Sequence, residues 1–481
     1  MDLIVILLSL GLLIFVAYRG FSVILFAPIC ALLAVSLTEP SHVLPFFSNV
    51  FMAKMVDFIK NYFPVFLLGA IFGKVIEMSG IADQIARLVI RMVGAKRAIL
   101  AVVIMCAILT YSGVSVFVVV FAVYPFAKQL FQKTNIPKRL IPATIALGAF
   151  SFTMDALPGT PQIQNVIPTT FFKTDIYAAP TLGIIGAIFM LIVGMLYIER
   201  CRRKAAAAGE GYFGKMGAES EMAASLAAEV AEFETNKEKS FDSVHAKDWL
   251  AFMPLILVGV MNKFFTVAIP KWYENGFDFS KIGLEAFGSV NMASVVGIWS
   301  VEMALVIGIA TTMALNFKAV KTNFQENLKV GIGGALLATM NTASEYGFGA
   351  VIAALPGFAV VQHGISGMFT NPLVNSAVTT STLAGVTGSA SGGMSIALGV
   401  MTEKYLAAAA QFNIPPEVLH RVISMASGGM DTLPHNGGII TLLAVTGLTH
   451  RQAYKDIFAI TIVKTLAVAF VILVYTLTGL V

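Results

Sequence analysis

The chain has 481 residues, of which 57% are hydrophobic and 12% charged, with a formal net charge of +5 and a mean hydropathy of +0.82. Soluble globular chains carry about 25% charged residues, so the composition excludes that class and points to an integral membrane protein. Strand-like alternation over about ten residues is absent, which excludes an outer-membrane barrel, and the scattered Cys30, Cys106 and Cys201 suggest neither a disulfide framework nor a metal site.

The first apolar run, Leu3–Ala17, follows an acidic rather than a basic start and lacks a clear cleavage site, so it reads as a retained span. Arg19 follows it. Arg87, Arg91, Lys96 and Arg97 precede an apolar segment at 98–110, and Lys128, Lys133, Lys138 and Arg139 follow another at 114–127. With both clusters on the cytoplasmic side, where Lys and Arg set orientation rather than bind nucleic acid, residues 98–127 enter and leave by one face. Each arm is short of the ~20 residues that a full span needs, so a re-entrant helical hairpin is expected, turning at Thr110-Tyr111-Ser112-Gly113. Residues 139–172 then cross outward, broken around Asp155–Pro161, and Tyr177–Ile198 returns to Arg200, Arg202, Arg203 and Lys204. A hydrophilic segment at 200–247, rich in Ala, Glu and Lys, reads as a cytoplasmic linker.

The second half follows the same plan. Spans near 248–266, 286–315 and 328–352 lead to an apolar hairpin around 366–401 with its tip at Gly388–Gly393. A broken span at 416–448 and a final span at 457–479 follow. Lys318, Lys321, Lys329, Arg451 and Lys455 fall on the cytoplasmic side, and both termini on the periplasmic side. Three echoes support a duplication: Met154-Asp155-Ala156-Leu157-Pro158 with Met430-Asp431-Thr432-Leu433-Pro434, Phe72-Gly73 with Phe348-Gly349, and Asn135-Ile136-Pro137 with Asn413-Ile414-Pro415. Phe72 precedes Asp155 by 83 residues, as Phe348 precedes Asp431. The expected fold is an all-α polytopic membrane protein of two inverted-topology repeats, 1–199 and 248–481, each with a re-entrant hairpin and a broken transmembrane helix.

Chemistry concentrates at the tips and breaks. Candidate substrate-binding residues are Tyr111, Ser112, Gly113 and Ser115 at tip one, Thr160 and Gln162 at break one, Ser389, Ser391, Gly392 and Gly393 at tip two, and Asn436 at break two. Small hydroxyls, amides and bare glycine backbone suit a carboxylate-and-hydroxyl substrate, with half-helix N-termini offering N–H groups to the anion and freed carbonyls holding a cation. The same residue types also mediate close helix packing. Asp155 and Asp431 are candidate ion-coupling carboxylates, or caps of the following half-helices. Glu345 has no acidic counterpart in the first half, as a coupling-ion site can look, or it pairs with a Lys or the neighbouring Tyr346. His435 titrates near neutral pH or is a hydrogen-bonded structural residue. Glu302 is a further intramembrane acid, and Lys74 with Glu77 reads as an i,i+3 pair.

Gly388–Gly393, Pro416-Glu417-Val418-Leu419, Ser427–Gly437 and Leu157-Pro158-Gly159-Thr160-Pro161 resemble the gluconate permease family over nearly the whole chain. The resemblance implies the ion-transporter superfamily fold and proton-coupled uptake of gluconate or related small organic acids across a bacterial inner membrane. No cofactor or enzyme activity is implied, the coupling ion is H+ with Na+ as the alternative, and a homodimer is expected from superfamily analogy. Sugar-acid members carry Tyr-Glu-Val-Gly where this chain has Tyr111-Ser112-Gly113-Val114, and His-Pro-Gly-Pro where it has Pro158-Gly159-Thr160-Pro161. Asn341–Gly349 with Asp431–Asn436 is similar instead to the branch of hydroxybutyrate permeases, which implies a short-chain hydroxy or keto acid such as 3-hydroxybutyrate. A cation/proton antiporter of the same fold is the alternative transport reading. An aspartyl protease dyad would need Gly-x-Gly-Asp and Tyr-Asp motifs, whereas Phe-Thr-Met and Gly-Gly-Met precede the two aspartates here. A passive channel would need repeated rings of one ligand type.

Overall fold

A computed structural model describes residues 2–18, 21–94, 97–114, 116–215, 246–274, 276–322, 324–358, 369–434 and 436–481. The described residues are overwhelmingly helical, and their only strands are two ladders of two-residue strands, Glu210–Gly211 with Gly214–Lys215 and Phe277–Asp278 with Ser289–Val290. Five stretches are long and apolar enough to cross a bilayer: Pro40–Met78, Pro180–Ala207, Trp249–Trp272, Val295–Leu315 and His450–Thr478. The chain is an all-α polytopic membrane protein.

In chain order the helices are α1 (Asp2–Tyr18), α2 (Val23–Thr38), α3 (Ala53–Met78), α4 (Ile81–Val93), α5 (Ala98–Tyr111), α6 (Val116–Lys133), α7 (Leu140–Ala149), α8 (Phe152–Asp155), α9 (Ile163–Phe172) and α10 (Pro180–Ala207). After the hydrophilic segment come α11 (Met253–Trp272), α12 (Met292–Leu315), α13 (Phe324–Ala354), α14 (Pro372–Thr387), α15 (Ala390–Gln411), α16 (Pro416–Gly429), α17 (Gly437–Thr446) and α18 (His450–Thr478). Helix α10 runs eight residues into the stretch read from sequence as linker, and residues 216–245 of that linker lie outside the described residues. α4 is the clearest amphipathic element. Ile81, Ile85, Leu88 and Val89 are buried along one side, with Asp83 in its first turn and Arg91 in its last, matching the helix dipole.

Two helical hairpins are present, α5–α6 and α14–α15. Each turns on a glycine in the left-handed region, Gly113 at φ 92° and Gly388 at φ 69°, where an L side chain would be strained. The α15 helix then starts on Ser389, whose hydroxyl accepts the Gly392 N–H at 3.1 Å. Both hairpins also end alike. Asn135 and Asn413 take φ of 51° and 54°, a conformation asparagine tolerates. The following Ile136 and Ile414 N–H groups reach back to Phe131 O at 2.9 Å and Ala409 O at 2.8 Å. These are matching αL caps, followed by prolines that cannot continue a helix. The Asn-Ile-Pro echo is therefore one structural device used twice.

Each hairpin leads into a broken helix. In the first, the chain leaves helix after Asp155 and resumes at Ile163; in the second, helix ends at Gly429, makes a 3₁₀ turn over Met430–Thr432 and resumes at Gly437. Backbone groups freed at membrane depth must find partners inside the protein. At break one, Asn165 donates to Thr160 O at 2.9 Å and Ile176 O at 2.8 Å. The rest comes from α16. Fully buried Arg421 donates to the carbonyls of Asp155 (3.1 Å), Ala178 (2.7 Å) and Ile176 (3.4 Å) and to Asn165 Oδ1 (3.0 Å). Ser424 adds a bond to Asp155 O at 2.9 Å. The helix before break two thus satisfies the backbone of break one, locking the two hairpin units together.

Replacing Arg421 by Met strands several buried carbonyls at about 1–3 kcal/mol each. Thermal unfolding of the purified protein in detergent is expected to shift sharply downward in Arg421→Met. A midpoint equal to wild type would contradict this role.

Candidate functional site

Tips and breaks converge on a cavity of about 590 Å³. Lys74 and Glu77 on α3, paired at 2.8 Å, and exposed Val330 on α13 line its cation-bearing end, termed the mouth. Its walls are apolar, including Val65, Phe66, Phe150 and Met154; its deep end is polar, with Gln162, Gln164, Asn341, Thr342, Glu345, Ser389, Ser391, Asp431 and Asn436.

Asp431 organises the deep end. One carboxylate oxygen, Oδ1, accepts the Ala390 N–H and the Asn436 Nδ2, each at 3.0 Å. The other, Oδ2, accepts Gln164 Nε2 at 2.8 Å. Asn436 Nδ2 also reaches Gly388 O at 2.9 Å, while its Oδ1 accepts Gly438 N–H at 2.7 Å at the start of α17. One carboxylate therefore ties tip two, break two and α9 together through charge-assisted bonds, the stronger kind.

Glu345 is bound differently. It lies on α13, 3% exposed, beside the Ser389 hydroxyl that hydrogen-bonds it. Its Oε2 has no hydrogen-bond partner among the described residues. Gly392 abuts it so closely that a Cβ there would come within 1.7 Å of Oε2. Thr342 and Ser389 each approach the Ser391 hydroxyl at 3.3 Å, forming a hydroxyl cluster next to the carboxyl.

Of the residues expected from the sequence, Gly113, Gln162, Ser389, Ser391, Asn436, Asp431 and Glu345 line this cavity. Gln162 also pins tip one, donating to Thr110 O at 2.7 Å and Val114 O at 3.1 Å. The others are turned away for local reasons. Tyr111 donates to Pro158 O at 2.9 Å and faces a void of about 10 Å³ on the opposite side, next to Gly159 and Asn262. Ser112 bonds back to Ile108 O at 2.6 Å within its own helix, and Thr160 is buried behind the wall. Gly392 and Gly393 act by close approach, Gly393 against the Ala384 backbone of the facing arm. Asp155 is fully buried off the wall, its carboxylate against Gly428 and without a hydrogen-bond partner among the described residues. Glu302 is half-buried on α12 and also off the wall. Ser115 and His435 lie outside the described residues.

Sequence reasoning overlooked Gln164, Arg421, His420 and the role of Lys464. His420 is fully buried, bonded to Thr174 Oγ1 at 2.7 Å and Asn165 Oδ1 at 3.2 Å. Lys464 is fully buried on α18, donates to Phe150 O, and acts electrostatically on both Asp155 and Asp431. A lone lysine within Ile457–Leu477 and an adjacent His-Arg pair in a broken span were available signals, because charge at membrane depth is rarely idle. No group of three or more His, Cys, Asp or Glu side chains that could hold a metal occurs among the described residues. The arrangement can instead enclose a small polar solute among hydroxyls, amides and freed backbone.

The model of the GntP family permeases matches residues 1–478. The chain belongs to that family. An uncharacterized transporter of Bacillus subtilis (strain 168), YxjC, is 68% identical over 481 residues, covering 100% of both chains. This GntP family permease is accordingly a membrane transporter and not an enzyme, and the convergence of hairpin tips and breaks on one cavity is the geometry a permease requires.

Two outcomes are expected at the site. Gly392→Ala should displace Glu345 and reduce transport at least about ten-fold while the protein stays folded by size-exclusion profile; wild-type rates would contradict the contact. Asp431→Asn turns an acceptor of three N–H donors into a group that itself donates, costing about 1–3 kcal/mol. Its thermal midpoint should fall together with transport, and an unaltered midpoint would count against the anchoring role.

Proposed function

We propose that this permease is a secondary active importer of a small organic monocarboxylate, a short-chain hydroxy or keto acid such as 3-hydroxybutyrate, or gluconate, by cation symport. The observation that carries the reading is the deep end of the cavity. Neutral hydroxyl and amide groups (Thr342, Ser389, Ser391, Asn341 and Gln162) meet carboxyls there, and the nearest cation lining the wall, Lys74, is at the mouth and already paired. An anion entering beside the Glu345 carboxyl is favoured by a co-transported positive charge that offsets it. That offset favours symport over the antiport alternative.

In this reading residues 1–199 and 248–481 form two inverted repeats in a bacterial inner membrane, with re-entrant hairpins entering from opposite sides. The loop charges support a cytoplasmic linker and periplasmic termini. The cavity mouth, with Lys74, Glu77 and the start of α13, then faces the cytoplasm. Tip one closes the other side, where Tyr111 meets Pro158 and Lys263 sits over the Tyr177 ring at 4.5 Å. In this reading the cavity belongs to an inward-open stage of alternating access.

Uptake of radiolabelled 3-hydroxybutyrate and gluconate into proteoliposomes, with pH and sodium gradients imposed separately, tests this reading. Accumulation of an organic acid under one of the gradients is expected. A sodium-dependent proton flux that needs no organic acid would replace symport by antiport.

A further inference from the structure

We propose that Glu345, a carboxyl on the cavity wall with one oxygen unpartnered among the described residues, carries the transported proton, and that Asp431, anchored by three N–H donors, belongs to the frame. The inference rests on the symport reading above and names its ion and the group that binds it.

A census of buried charge at the centre of the molecule leads to this assignment. Among the described residues three carboxyls, Asp155, Glu345 and Asp431, share that region with two cations, Arg421 and Lys464, all fully or almost fully buried. Asp456 is also buried but is matched separately, by Arg139 at 2.6 Å. Unpaired charge in a low-dielectric interior costs several kcal/mol, so the central set is one positive charge short. The Asp155 carboxyl also lacks hydrogen-bond partners among the described residues, but it is fully buried off the cavity wall, away from the open face and from substrate. Asp431 accepts three N–H donors, bonds that are stronger to an ionised carboxylate. Glu345 has none of this support: the charged group acting on it is Asp431, of like sign.

Among the described residues, the elements packed against Glu345 offer no cation either. Helix α2 contains no charged residue. On α3, Lys74 is paired with Glu77 at the cavity mouth, Lys54 lies 3.7 Å from Asp57, and Lys60 is exposed. On α15 the charged residues, Glu403 and Lys404, lie on an exposed stretch. The missing positive charge is therefore best supplied as a proton on Oε2, the oxygen without a partner. A metal cation such as Na+ would instead draw on the Thr342, Ser389 and Ser391 hydroxyls beside the carboxyl, and the sodium gradient in the test separates the two.

The cycle balances simply. A hydronium ion at the open face gives its proton to Oε2, forming an O–H bond and leaving water, and Glu345 passes from −1 to neutral. That O–H then donates to the carboxylate of the incoming acid, while Ser389, Ser391 and Thr342 bind its hydroxyl or keto oxygen. Once the site opens to the other face, the O–H bond breaks, the proton returns to water and the acid leaves. Without the proton, two carboxylates would face each other, so acid and proton bind together.

The test uses the full chain in proteoliposomes with 3-hydroxybutyrate and gluconate as probes. Counterflow at equal pH reports binding and exchange, and accumulation driven by a pH gradient reports coupling. Glu345→Gln should keep counterflow while accumulation falls at least about ten-fold, with Glu345→Asp regaining part of it. In Asp155→Asn and His435→Gln the two readouts should change in the same proportion. The assignment is overturned by wild-type accumulation in Glu345→Gln, by loss of counterflow in both Glu345 variants, by selective uncoupling in His435→Gln, or by a sodium gradient driving wild-type uptake at equal pH. Wild-type protein that moves neither acid under either gradient removes the symport reading itself.

Discussion

The Asp431 carboxylate is the interaction on which the site depends. A helix broken at membrane depth leaves N–H and C=O groups without water to satisfy them, and a hairpin tip pointing at the break has the same problem. Asp431 meets both demands at once, accepting from the tip through Ala390, from its own break through Asn436 and from α9 through Gln164. Three chain segments distant in sequence thereby become one wall of the cavity. Break one is handled by the opposite chemistry, a cation donating to freed carbonyls, with Arg421 in place of a carboxylate.

This division of labour makes the two halves alike in plan and unlike in detail. Both use a glycine-turned hairpin, an Asn αL cap and an aspartate next to the break. Yet Asp155 contributes its backbone carbonyl to Arg421 and keeps its carboxylate sealed behind the cavity, while Asp431 presents its carboxylate to the site. Glu345 enters only through the second half. In the proposed cycle, Asp431 holds the frame and Glu345, the cavity carboxyl with an oxygen unpartnered among the described residues, does the titrating.

Much of the fold was legible because its cues are local. The turn at Gly113, the Asn-Ile-Pro stops and an Asp beside proline in apolar sequence each announce a feature within a few residues. The candidate site was legible only where a residue's role follows from its own segment, as for Ser389, which caps α15 and faces the cavity. Gln164 and Asp431 are 267 residues apart, and Arg421 lies 243 to 266 residues from the carbonyls it binds. No periodicity or spacing reports such partners. Tyr111 and Ser112 illustrate the converse: a polar residue at a hairpin tip need not face the site, since Ser112 closes on its own helix and Tyr111 reaches the other side.

The central claim is that the cavity bounded by tip two and the two breaks is where the transported acid binds. Substrate protection of a cysteine at Ser391, in a background with half-buried Cys201 replaced by serine, tests it most directly. The account predicts that a small thiol reagent blocks transport by Ser391→Cys and that the transported acid slows this modification. Modification that leaves transport intact, or that proceeds at the same rate with saturating acid present, would contradict it.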